Sequence, residues 1–218
     1  MDNPLFPARL ADAIRREWRL RHLSLPEYGF LFDPEPENEW VSLACATTGH
    51  DLLNDRVLSI CAIRVCGNRV LGSERLELLL RPEGPVPAEA LRRHRLREQD
   101  LGQGLAADEA ARSLLRFVGS RPLLGYYLEF DIAMLDRIVK PLIGIGLPQQ
   151  QVEVSSLYYD WKVQQLPPYQ QDGAQVDLRY GSLLLALGLP GRDTPDPLDR
   201  AVMNALAFIK LRQLLAPA

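Results

Sequence analysis

The hydrophobic pattern of this chain changes period near Pro87, and that change sets the fold class. Before it, three apolar strand-like segments follow one another over residues 40–45, 57–65 and 70–80. Cys66-Gly67-Asn68-Arg69 joins the second to the third and carries a tight-turn signal. The three read as consecutive antiparallel strands. Prolines at 82, 85 and 87 close the pattern. Helical spacing then recurs over 88–93, 107–118, 131–139, 178–187 and 198–215, with short buried strands at 122–126 and 151–154. Such an order predicts an α/β domain with a mixed five-stranded sheet and helices on both faces. Residues 163–177, rich in Gln and Pro, read as an irregular surface loop.

Residues 1–38 differ from the rest. Positions 8–22 carry helical spacing, with Leu10, Ile14, Trp18 and Arg21 or His22 on one stripe and arginines on the other face. Asp33-Pro34-Glu35-Pro36-Glu37 is a stiff acidic connector, because proline blocks helix and extends the residue before it. The helix either packs on the main domain or offers a surface to a partner or nucleic acid. The expected division is a helical extension with its connector over 1–38 and a main domain over 39–218.

With 218 residues, 47% of them hydrophobic, the chain is long enough to bury a core without staples. Its 25 Lys and Arg against 28 Asp and Glu give a net charge of −3, which excludes a strongly basic nucleic-acid binder but not a local basic patch. No apolar run is long enough to span a membrane. Arg9, Arg15, Arg16, Arg19 and Arg21 interrupt the apolar stretches at the N-terminus, so no secretory signal is expected and a cytoplasmic location is. Cys45, Cys61 and Cys66 are odd in number and lie in or beside apolar strands, as buried free thiols of a reducing compartment do. No Cys-x-x-Cys occurs, and His22, His50 and His94 are far apart, so a structural zinc site has no support.

Three segments carry polar residues where strands end or helices begin. Val41 to His50 (VSLACATTGH) closes an apolar strand with Thr47, Thr48 and Gly49. Arg121 to Asp131 (RPLLGYYLEFD) runs a strand into a helix that opens with an acid. Asp193 to Ala205 leads into the last helix. In this order the motifs resemble the DEDD (DnaQ-like) 3′–5′ exonuclease family over about residues 39–215. That resemblance implies a ribonuclease H-like fold and two-metal phosphodiester chemistry: carboxylates hold two Mg²⁺ or Mn²⁺ ions ~3.5–4 Å apart, and a histidine serves as general base.

The chain departs from the family's motifs. Aligned on Thr47-Thr48-Gly49, the first motif's acids fall on Ala44 and Ala46. Asp131 matches the second. In the gap-free register the third motif's His and Asp fall on Pro195 and Arg200; shifted by four they fall on Asp199 and Asn204. One of four metal ligands remains and the base is missing. An arginine in the site repels the dications it would replace. The implied protein is a pseudoenzyme that expects no cofactor beyond what Asp131 alone holds. The alternative is an active Mg²⁺- or Mn²⁺-dependent exonuclease on DNA or RNA. It would work through relocated acids (Asp51, Asp55, Glu129, Asp196 or Asp199), or else Ala44 and Ala46 are laboratory substitutions. In the plainer reading those five acids are solvated charges and helix caps.

Binding is the expected survivor. By resemblance, the turn at Thr47, Thr48 and Gly49 cradles a terminal nucleotide, His50 wedges at a base, and Phe130 or Tyr126 offers a stacking face. The plain reading is that the threonines cap the turn and the aromatics fill core. Arg92, Arg93, His94, Arg95 and Arg97 form either a phosphate-attracting cluster or a solvated helix face. The resemblance also implies partners: a nucleic-acid end or nucleotide, a protein such as a regulatory nucleotidyltransferase-like one in bacteria, and a second copy in a homodimer.

Overall fold

A computed structural model describes residues 14–191 and 195–216. Its elements run as α1 (residues 14–21), a 3₁₀ turn (Pro26–Phe32), β1 (Glu39–Thr47), β2 (Val57–Cys66), β3 (Arg69–Leu79), α2 (Ala88–His94), α3 (Glu98–Gly102) and α4 (Ala107–Val118). They continue as β4 (Leu123–Gly125), α5 (Leu128–Ile143), β5 (Gln151–Glu153), α6 (Val154–Gln164), α7 (Pro168–Gln171), α8 (Tyr180–Ala186) and α9 (Pro197–Leu215). The sheet order is β3-β2-β1-β4-β5. β1 pairs antiparallel with β2, β2 antiparallel with β3, and β4 lies parallel to both β1 and β5. This is the mixed sheet of the ribonuclease H-like fold, with helices on both faces.

β1 is the central strand, and side chains alternate across its two faces. Val41, Leu43 and Cys45 point toward α4 and α5, where Leu114, Leu115, Leu128 and Leu135 complete the larger core. Ser42 and Ala44 point toward α9: the Ser42 hydroxyl donates to the Ala201 carbonyl at 2.6 Å, and Ala44 packs on Ile63 and Ala201. Small residues on both sides let helix and strand approach closely. On the same face Phe208 and Leu211 of α9 meet Tyr158 of α6 and Leu183 and Leu184 of α8. β3 is an edge strand with exposed charges such as Arg75 and Glu77, which discourage further pairing.

Tyr28, Leu31 and Phe32 of the 3₁₀ turn are buried in the same core as β1. The stripe expected to anchor α1 faces water instead: Ile14 is 61% and Trp18 56% exposed, and Leu10 lies outside the described residues. The arginine side turns inward because backbone oxygens need donors there. Arg16 Nη2 donates to the Phe32 carbonyl at 2.7 Å and Arg19 Nη1 to that of Pro148 at 3.1 Å. Leu20 and Leu23 supply the apolar contact.

Two further expectations are corrected. α6 was not anticipated, and the segment expected to be an irregular loop over 163–177 contains the end of α6 and the short α7. Of the three free cysteines, Cys45 and Cys61 are buried but Cys66, on the β2–β3 turn, is exposed. No helix among the described residues is long and apolar enough to cross a membrane.

Candidate functional site

At the carboxyl end of β1 a cavity of about 420 Å³ opens between the sheet, α2, α5 and α9. Its lining is Cys45, Thr47, His50, His94, Tyr127, Phe130, Asp131 and Arg200. A volume of that order suits one small ligand.

The end of β1 is shaped by a register shift between Ala46 and Thr47 in its pairing with β2. Beyond it the turn is tied to itself. Thr47 Oγ1 donates to the Gly49 carbonyl at 2.7 Å, and Thr48 Oγ1 donates to Asp55 Oδ1 at 2.6 Å while accepting from the Arg56 N–H at 2.9 Å. Asp55 Oδ2 takes the Asp51 N–H at 2.7 Å, and Asp51 Oδ1 takes that of Leu53 at 2.8 Å. Donated hydrogen bonds hold both acids below the usual carboxylate range, from Asn54 foremost for Asp51 and from Thr48 foremost for Asp55. Arg137 of α5 donates to the carbonyls of Leu52 and Asp55 and seats the loop on the helix. A Cβ at Gly49 would run into the Asp55 carboxylate and displace it from these hydrogen bonds.

α5 enters the site through a left-handed residue, Tyr127 at φ 54°. Glu153, at the end of β5, makes that start possible. Its carboxylate accepts the N–H groups of Tyr127 at 3.2 Å and Leu128 at 2.9 Å, and also caps α6 through the Ser155 N–H at 3.1 Å. One side chain therefore satisfies free donors at two helix starts. Glu153→Ala is expected to cost about 2 kcal/mol, at about 1 per cap. Urea unfolding measures the loss, and amide exchange over 126–131 should rise with it.

This start places Asp131 one turn into α5, 4% exposed, beneath the cavity. Burial pushes its carboxyl up to about 7, against the opposing pull of Arg200 and of a hydrogen bond from the Cys45 backbone; Glu153 adds to the rise. Burial likewise pushes the Cys45 thiol well above its ordinary range, so it is no nucleophile. His94 of α2 donates from Nδ1 to the Pro195 carbonyl at 3.3 Å and also meets the Thr47 backbone. Burial holds it below the ordinary histidine value, so it is neutral at pH 7. It ties α2 to the end of β1 and the approach to α9. Arg200, on the first turns of α9, is half-buried, and among the described residues its guanidinium has no hydrogen-bond or ion-pair partner. His50 and Phe130 face each other at 5.6 Å, and Tyr127 is 68% exposed at the rim.

Thr47, His50, Phe130, Asp131 and Arg200 thus line one cavity. Ala44 and Ala46 do not line the cavity: both are 0% exposed, Ala44 against Ala201 and Ala46 against Leu58, Ala90 and Leu101. Thr48 and Gly49 brace the loop. Tyr126 is drawn away, its hydroxyl donating to the Leu178 carbonyl at 2.8 Å and its ring packing on Tyr180. Pro195 lies in the neighbouring groove, where it contributes the carbonyl held by His94. Asn204 is buried elsewhere, accepting from the Tyr180 hydroxyl at 2.8 Å. Asp193 lies outside the described residues.

Cys45, His94 and Tyr127 are site residues that motif matching missed. His94 was legible only as one of a basic cluster. Glu129 is exposed, Asp196 caps α9 through the Leu198 N–H at 2.8 Å, and Asp199 lines the neighbouring groove. Among the described residues no group of three or more His, Cys, Asp or Glu is placed to share a metal ion.

The exonuclease family model RNase_T matches residues 45–170. No curated protein matches the sequence. Among solved structures, E. coli Exonuclease I in complex with a dA16 oligonucleotide superposes with a TM-score of 0.67 at 14% identity, over 82% of this chain and 42% of that one. Exonuclease X in complex with 5′ overhanging duplex DNA gives 0.59 at 14% identity, over 82% of this chain and 94% of that one. The chain therefore spans less than half the length of Exonuclease I.

Proposed function

Since the chain belongs to the RNase_T exonuclease family, we propose that it is a catalytically degenerate member whose cleft binds a nucleotide or nucleic-acid end without cleaving it. The observation that carries this is the charge makeup of the cavity: Asp131 is its one carboxylate among the described residues, and a guanidinium, Arg200, faces the same space. Two hard dications at ~3.5–4 Å separation need several shared anionic oxygens. One buried acid, with an arginine lining the same cavity, does not fit that pair. His94 is no substitute base, because its Nδ1 is spent on the Pro195 carbonyl and its ring also meets the Thr47 backbone.

What remains favours binding. The turn at Thr47 to Asp55 is braced by its own hydrogen bonds, and the rings of His50, Phe130 and Tyr127 line the cavity. Stacking on such rings contributes about 1–3 kcal/mol per base. The oligonucleotide complexes of the structural neighbours make a nucleic-acid end the natural occupant.

The test uses 3′-labelled DNA and RNA oligonucleotides at micromolar protein, in EDTA, Mg²⁺ and Mn²⁺. The expected result is retention of the oligonucleotide on the protein and no release of mononucleotides under any condition. Release that requires Mn²⁺ and disappears in Asp131→Ala would overturn the proposal in favour of an active enzyme with relocated acids.

A further inference from the structure

We infer that Arg200 takes the place of the dications as the phosphate receptor of this cleft, so that the site captures a phosphate carried on a planar base without any metal. The inference rests on the reading of the cleft as a nucleotide site, and it specifies how that site neutralises its ligand.

Four observations converge on it. First, Arg200 is half-buried in the cavity lining, yet no acceptor among the described residues engages its guanidinium. Arg16 and Arg19, by contrast, are committed to carbonyls of the core, Arg137 to the loop and Arg75 to Glu77. A guanidinium partly removed from water and left unpaired is costly, and a planar fork of donors is shaped for two oxygens of one phosphate. Second, the one acid among the described residues of the lining does not consume that charge. Asp131 is 4% exposed, turns its carboxylate toward the Cys45 backbone, and lies beyond ion-pair distance of Arg200.

Third, the other wall is aromatic. His50 and Phe130 stand 5.6 Å apart and Tyr127 projects at the rim, so a ring and an anion are accommodated side by side. The cavity of about 420 Å³ is large enough for one nucleotide and too small for a folded segment. Fourth, the backbone that carries Arg200 is fixed at the edge of the cavity. The main chain of Arg200 is anchored in α9 by its N–H on the Asp196 carbonyl at 3.0 Å and by its own carbonyl, which accepts from the Tyr180 hydroxyl at 3.4 Å.

Two sources present the same chemistry, a free nucleoside 5′-monophosphate and the terminal phosphodiester of a single strand. The experiment separates them. Affinities of the full chain for AMP and for a fluorescein-labelled dT₆ with a free 3′-hydroxyl are measured by calorimetry and fluorescence anisotropy, each in EDTA and in Mg²⁺. Binding equal in both media is expected. Arg200→Ala should weaken it at least tenfold, Arg200→Lys should restore part of the loss, and the salt slope for dT₆ should fall by about 0.7. AMP bound as tightly as dT₆ identifies the free nucleotide as the ligand; tighter dT₆ identifies the strand end.

Arg200→Gln, which keeps most of the side chain's length, serves where Arg200→Ala melts early. Binding that appears only with Mg²⁺, or that a folded Arg200→Gln retains in full, overturns the arginine's role while leaving the cleft a nucleotide site. Failure of both ligands to bind in either medium overturns the cleft reading itself, and the inference with it.

Discussion

Ala44→Asp is expected to destabilise the protein by about 3–5 kcal/mol, the cost of burying an uncompensated charge. The double variant Ala44→Asp, Ala46→Glu should leave little folded protein at all. In the family's motif these two positions hold metal-binding acids, so the substitution looks like a repair. The packing says otherwise. Both alanines are 0% exposed, with Ala44 against Ile63 and Ala201 and Ala46 against Leu58, Ala90 and Leu101. The Ser42 hydroxyl on the Ala201 carbonyl fastens α9 against β1 at that level. A carboxylate at 44 would have to push α9 aside or lie dry among methyl groups, and Arg200 stands in the cleft rather than beside it. Urea unfolding of the single variant, with its midpoint and slope, measures the cost. A loss below about 1 kcal/mol, together with new Mn²⁺ binding, would show that α9 lifts from the sheet and that the site is repairable.

The sheet was readable because its signals are local. β1 and β2 are apolar runs, β3 alternates leucines with charged residues, Cys66-Gly67-Asn68-Arg69 marks the turn between β2 and β3, and α4 spans the residues its periodicity indicated, 107–118. Two of the three differences involve a partner distant in sequence, and α6 is the exception. α5 was expected to open at Asp131, but it starts at Leu128 because Glu153 reaches over from β5 to cap it. α6 (VSSLYYDWKVQ) buries only Val154 and Tyr158, too thin a stripe to stand out among β-branched and aromatic residues. The N-terminal stripe faces water because the arginines' acceptors are backbone oxygens, which leave no trace in a hydrophobicity pattern. The same limit applies to the cleft. Thr47, His50, Phe130 and Asp131 belong to contiguous motifs and could be found, whereas His94 joins them only because α2 folds back onto carbonyls of Thr47 and Pro195.

Asp131→Asn is expected to stabilise the protein, increasingly so as the pH rises from 5 to 8. Burial is the main cause of the raised carboxyl, up to about 7, and Arg200 and the Cys45 N–H only partly oppose it. The ordinary aspartate value of about 3.9 applies to the unfolded chain. A folded value above the unfolded one means that the folded state binds the proton more tightly. The favourable contribution is therefore complete below about pH 4, declines as the pH rises toward 7, and is gone above it. Three units correspond to roughly 4 kcal/mol in total, of which roughly 2–3 kcal/mol falls between pH 5 and pH 8. Asparagine keeps an acceptor for the Cys45 N–H but never ionises. The stability gap between variant and parent, taken from paired urea titrations, should therefore widen by that amount and level off beyond pH 8. A gap that stays constant would mean that the carboxylate is ionised in the fold and compensated by a close cation. The available cation is Arg200, and a guanidinium turned inward to Asp131 would no longer face the cleft. The pH series thus bears on the anion receptor from the protein's side, without any ligand present.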